Sequence, residues 1–191
     1  MQENTVSKRK PNRLKGFDYN SAGSYFITIC SKNRENIFGD VERIFITNPD
    51  GDPSEQACPL KAIVALTKCG KTVQKYIESG KNAYQNMTVE NYIIMPNHIH
   101  LIIFVKQDEK GTTRSNEAIA RFVSTLKHLT NKEIGFSVFQ RSYHDRIIRN
   151  EKEYDYIWDY IDSNPACWGK DCLNKYINAS DIKSETKKYD E

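Results

Sequence analysis

Met95-Pro96-Asn97-His98-Ile99-His100-Leu101-Ile102-Ile103 is the stretch whose reading decides this chain. Pro96-Asn97 marks a turn, and the apolar, β-branched run from His98 to Val105 predicts a strand. Side chains alternate along a strand. His98 and His100 therefore emerge on one face, with α-carbons ~6.5 to 7 Å apart, while Ile99, Leu101 and Ile103 point to the other. One face is core and the other bears two imidazoles. Such a pair can converge on a single divalent ion and leave positions open for an oxygen-rich substrate. Histidines so spaced are more often ordinary, partly buried residues of a sheet, but the clean separation of faces favours the ligand reading here.

The same spacing occurs in barrel hydrolases and cupin-like oxygenases, and neither suits this chain. A barrel needs roughly 250 residues, and a jelly roll would be nearly all strand. Here helical periods are strong. Ile63, Leu66, Gly70, Val73 and Ile77 recur at intervals of three and four, which predicts an amphipathic helix from Leu60 to near Gly80. A second helix is expected from Ser115, read as its N-cap, through Ile119, Phe122, Val123, Leu126 and Leu129. A third starts near Asn150, where Asn150 and Glu153 have capping-box spacing, and runs to about Ser163, before Pro165.

Upstream, Tyr25 to Ile29 reads as a strand, with Arg43 to Ile46 as its hairpin partner and Thr47 to Pro59 as a loop. Val89 to Met95 supplies a strand before the histidine strand, and Lys106 to Thr113 a loop after it. The order is α+β with sequential antiparallel strands. Helices are expected on one face, with a site on the other, open face.

The 191 residues fit one compact domain. With 38% hydrophobic and 28% charged residues, the composition is that of a globular protein rather than a disordered or fibrous one. The apolar run Leu101 to Val105 is far short of the ~20 residues that cross a bilayer, so no membrane partner is expected. A polar, basic N-terminus without an apolar stretch, and five cysteines without a CxxC pair, point to a cytoplasmic setting. Net charge is only +3, but Lys8, Arg9, Lys10, Arg13 and Lys15 form an acid-free run suited to phosphates. We divide the chain into a basic arm (1–16), a domain (17–170) and a charged tail (171–191).

In the third helix, Tyr156, Tyr160 and Asn164 share one face, with Ile157 and Ile161 alongside. A phenol and a carboxamide thus share a direction, and a tyrosine beside a cation can act as a nucleophile. Tyr154, six residues before Tyr160, lies on a different face of the helix. Just before this helix, Arg141, His144, Arg146 and Arg149 form a basic group fit for phosphate contacts, and Tyr143 offers a flat surface for a splayed base; bridging the two helices is an equally good account of them. Arg121, Lys127, His128 and Lys132 read as the solvated face of the second helix, and Trp158 and Trp168 as packing residues.

Taken in order, MPNHIHLII, FQRSYHDRIIRN and YIDSNP resemble the motifs of the REP-associated tyrosine transposases, relatives of the single-tyrosine HUH (IS200-like) transposases. The resemblance spans about Lys15 to Lys170. It implies a ferredoxin-like or RRM-like sheet whose open face binds single-stranded or hairpin DNA. It also implies His98 and His100 as ligands of Mg²⁺ or Mn²⁺, with Asn97 in the variable slot before them. Asn164 then completes the metal site, and Tyr160 is the nucleophile, forming a 5′-phosphotyrosine link. Phe139 stands where the family usually has Trp, a packing change. A monomer and a homodimer are both compatible. Two rivals remain: a domesticated hairpin-binding protein that no longer cuts, and a metal-dependent phosphodiesterase that uses water.

Overall fold

The computed structural model describes residues 21–45, 59–81, 83–107 and 114–174. The expected basic arm, with Lys8, Arg9, Lys10 and Arg13, lies outside the described residues, as do most of the 47–59 loop and the tail from 175 onward.

Among the described residues, six strands and three α-helices follow in the order β1 (Gly23–Cys30), β2 (Gly39–Phe45), β3 (Pro59–Leu66), α1 (Lys68–Gly80), β4 (Met87–Ile94), β5 (His98–Val105), α2 (Ser115–Ile134), β6 (His144–Ile147) and α3 (Glu151–Cys167). Four strands form one antiparallel sheet in the order β4-β5-β1-β6. With the β2-β3 hairpin set aside, the order βαββαβ and this strand sequence are those of a ferredoxin-like α+β fold.

β5 is central and nearly every residue in it is buried, because it carries core on both faces. Ile99, Leu101, Ile103 and Val105 join Val73 and Ile77 of α1 and Ile119, Phe122, Val123 and Leu126 of α2 in the main core. On the opposite face Ile102 packs with Ile148, Ile157 and Ile161 in a smaller cluster. α1 and α2 thus cover one face, as expected. The histidine face is not bare, however, since α3 lies over it.

Other expectations need correction too. Of the expected partner Arg43 to Ile46, Ile46 lies outside the described residues, and residues 43–45 do not pair with β1, whose two edges are taken by β5 and β6. Instead β2 pairs with β3 in a separate two-stranded sheet. The helix expected from Leu60 begins only at Lys68: residues 59–66 are strand, and Thr67 caps α1 by accepting from the Gly70 N–H at 3.2 Å. Ile63 and Leu66 fall at helical spacing by coincidence in an apolar run too short for periodicity to classify. α3 continues past Ser163 to Cys167 with Pro165 inside its last turns. Proline removes one N–H there, leaving the Ile161 carbonyl without its usual donor while the helix continues.

The start of α3 follows the capping spacing read from the sequence. Asn150 Oδ1 accepts from the Glu153 N–H at 2.9 Å, and the Glu153 carboxylate accepts from the Arg149 N–H at 2.9 Å. Ser115 is the first residue of α2 rather than its cap, and its hydroxyl donates to the Ser21 carbonyl.

Gly70 sits where α1 meets the chain before β2, and a Cβ there would lie 1.9 Å from the Phe38 carbonyl oxygen. That oxygen also accepts from the Thr67 N–H at 3.0 Å, so it cannot retreat without loosening the helix start. Gly70→Ala is expected to destabilise the domain by about 3 kcal/mol or more; an unchanged urea midpoint would contradict this packing.

Candidate active site

The β1–β5 register pairs Thr28 with His100 and Cys30 with His98, so these side chains share the α3 face of the sheet. His100 Nδ1 lies 2.9 Å from the Thr28 hydroxyl, and His98 Nδ1 lies 2.8 Å from Asn97 Oδ1. The Asn97 amide nitrogen donates to two carbonyls, of Leu173 at 2.7 Å and of Arg34 at 3.3 Å, which leaves its oxygen to accept from His98 Nδ1–H. His98 is thereby held in the tautomer whose Nε2 carries a lone pair.

Both imidazoles are buried, His98 at 0% exposure and His100 at 3%. Burial pushes the His98 pKa down to about 3, helped by the nearby charge of Arg34. Burial also holds His100 well below its usual range, with His98 adding to the effect. Two neutral imidazoles with ring centroids 4.5 Å apart result.

α3 delivers the next two groups. The Tyr160 hydroxyl lies 3.4 Å from His100 Nε2, and Phe26 packs against both rings, stacked on His100 at 4.9 Å and edge-on to Tyr160 at 6.1 Å. Burial first, then the charge of Asp171, pushes the phenol up to about 12, while a hydrogen bond from Asn164 works the other way. Asn164 itself is 1% exposed, and its Oδ1 has no hydrogen-bond partner.

Asp171, just beyond α3 and the first residue of the expected charged tail, reaches this site. Its Oδ2 lies 3.7 Å from His98 Nε2, and ligand atoms of His98, His100 and Asp171 all fall within 4.8 Å of one another. His98 Nε2, Asn164 Oδ1 and Asp171 Oδ2 are each buried without a hydrogen-bond partner. Buried polar atoms rarely stay unsatisfied. The donors of His98, His100 and Asp171, gathered in this way, fit a divalent cation, which would need imidazole and oxygen ligands.

The other tyrosines of α3 point elsewhere: Tyr156 is 57% exposed, and the Tyr154 hydroxyl donates to Glu90 at 3.1 Å. Arg146 lies opposite Phe26 on β6 and is ion-paired with Glu153. Arg141 and Arg149 are exposed, whereas Tyr143 is half-buried against the main core. Lys127 is not part of a solvated face. It is half-buried and donates to the carbonyls of Gln140 at 2.8 Å and Ser142 at 3.0 Å, fixing the approach to β6. Trp168 walls the site, its ring 5.9 Å from that of His98. Exposed Arg34, in a left-handed conformation (φ 55), is a cation of the site that no sequence spacing marks.

A curated protein of Haemophilus influenzae, described only as uncharacterized, is 31% identical over 188 residues, covering 88% of this chain and 94% of that one. This chain belongs to that protein's family. No family model matches it. Among solved structures, a REP-associated tyrosine transposase bound to a REP hairpin superposes with a TM-score of 0.53 at 17% identity, covering 82% of this chain and 74% of that one. The chain thus has the tyrosine-transposase fold. No helix among the described residues is long and apolar enough to cross a membrane.

Because both imidazoles are neutral in the folded protein, the unfolded chain takes up protons below its ordinary histidine pKa of ~6.5 that the folded site refuses. The stability they contribute is present above that pH and is lost as pH falls below it, for His98 toward about 3. In EDTA, Tm is therefore expected to fall between about pH 7 and pH 4, and His98→Gln to flatten the decline. A wild-type profile no steeper than that of His98→Gln would contradict the burial described.

Proposed function

We propose that this protein is a metal-dependent DNA transposase or endonuclease that cleaves and rejoins single-stranded or hairpin DNA through Tyr160. The observation that carries the reading is the Tyr160 hydroxyl standing 3.4 Å from His100 Nε2, beside buried donor atoms that lack partners. The fold shared with a hairpin-bound transposase supports the same substrate class.

His98, His100 and Asn164 would hold Mg²⁺ or Mn²⁺. When bound, the cation would polarise the scissile phosphate, offset charge developing on phosphorus and make the phenol more acidic. Without such help a phenol with a pKa of about 12 is a poor nucleophile at neutral pH. α3 holds the Tyr160 ring against Phe26 and aims its hydroxyl at the imidazoles. Tyr160 is partly exposed while both histidines and Asn164 are buried, so an incoming phosphodiester meets the phenol first. As the Tyr160 Oη–P bond forms, the P–O3′ bond breaks. The product is a 5′-phosphotyrosine and a free 3′-hydroxyl, which can reverse the step on another strand without ATP. Arg141, Arg146 and Arg149, with Lys8, Arg9, Lys10 and Arg13 of the arm, would contact phosphates along the strand, and Tyr143 would contact a base.

Incubation with a 3′-labelled hairpin oligonucleotide and Mn²⁺ is expected to give a covalent, denaturation-resistant adduct. EDTA, Tyr160→Phe, and His98→Ala with His100→Ala should each abolish it, and Tyr156→Phe should keep it. Adduct formation by Tyr160→Phe at the normal rate would refute the assignment. Cleavage without adduct would instead indicate a water-using phosphodiesterase, and binding without cleavage a domesticated hairpin binder.

A further inference from the structure

The carboxylate of Asp171 is positioned by contacts that leave one oxygen committed and the other bare. Oδ1 accepts from the Leu173 N–H at 2.7 Å. Oδ2, on the opposite side of the carboxylate, points at His98 Nε2 across 3.7 Å, beyond hydrogen-bonding distance. A proton would have to sit between them for this to be an ion pair. The His98 proton is already placed on Nδ1, where it meets Asn97 Oδ1 at 2.8 Å. Two lone pairs thus face each other in a buried setting, His98 at 0% exposure and Asp171 at 9%. Such a juxtaposition repels unless a cation lies between the atoms. Donor atoms sharing one ion at ~2.0 to 2.2 Å stand roughly 3 to 4 Å apart, which is the separation seen here.

Resting on the metal-dependent reading above, we propose that Asp171 is a direct ligand of the divalent cation, completing a two-imidazole, one-amide, one-carboxylate set that selects Mn²⁺ over Mg²⁺ and fastens the chain after α3 onto the site. The selection follows from the donors. Mg²⁺ prefers oxygen ligands and keeps its waters, whereas imidazole nitrogen suits later divalent ions better. The fastening follows from connectivity. Leu173, whose N–H fixes the carboxylate, offers its carbonyl to Asn97, and Asn97 in turn fixes His98. Trp168, at the start of the same segment, lies against the His98 ring. A cation gripped by Asp171 would therefore hold residues 168–174 as well as the two strand histidines.

The test measures Mn²⁺ binding to the full chain without DNA, following the free-ion signal by electron paramagnetic resonance. Wild type should bind one Mn²⁺, and Mg²⁺ should compete only at about tenfold or greater excess over its Mn²⁺ equivalent. Asp171→Asn, which keeps the shape and the Leu173 hydrogen bond, should weaken Mn²⁺ binding by about tenfold or more. Asp155→Asn, an exposed acid on α3, should leave it unchanged. Amide exchange should slow across residues 168–174 on adding Mn²⁺ to wild type and not to Asp171→Asn, and melting in EDTA checks that the variant is folded. Wild-type Mn²⁺ affinity in Asp171→Asn, with binding lost in His98→Ala, would overturn the role of Asp171 and leave the histidine site standing. Failure of wild type to bind Mn²⁺ at all would overturn both.

Discussion

The antiparallel pairing of β5 with β1 is the constraint on which the site depends. It sets Thr28 beside His100, gives the Nδ1 edge of that imidazole a partner, and leaves its Nε2 facing α3. The tight turn before β5 does the same for His98 through Asn97. A slip of one residue would exchange the faces of the strand, sending the imidazoles into the main core and Ile99, Leu101 and Ile103 under α3. The main core resists that slip, because those three residues pack against α1 and α2 with almost no exposure. Core packing on one face therefore sets the chemistry of the other.

Placing α3 over the histidine face has an electrostatic consequence. Removal from water keeps both imidazoles neutral and raises the phenol, so the protein alone gives that phenol little driving force for deprotonation. Arg34 stands at the rim, exposed, and its charge is felt by His98 and Asp171. A buried site rich in unpartnered lone pairs is matched to a cation arriving from solution. An anionic phosphate would then approach from the side of the partly exposed phenol.

Much of this was legible in the sequence because it is local. Alternation along β5 put His98 and His100 together, and the 3.6-residue period of α3 put Tyr160 and Asn164 on one face. The Asn150 cap could be read from spacing alone. What could not be read is set by the path of the chain in space. Residues 59–66 carry apolar positions compatible with either period, and only the pairing with β2 makes them a strand. β6 is four residues long with a half-exposed pattern, too short to show a period. Asp171 lies in a polar segment after a helix, where nothing in the sequence distinguishes it from its neighbours. Its partners are 73 and 71 residues away in the chain, and the contact exists only because the segment folds back over Asn97.

The central claim is that the phenol of Tyr160, aimed at the buried imidazoles, is the group that reacts. Mass spectrometry of peptides from a trapped protein–DNA complex tests it most directly. A nucleotide mass on the peptide carrying Tyr160, with fragmentation placing it on that side chain, is the result this account predicts. The same mass on Tyr156, or on a tyrosine outside α3, would contradict it.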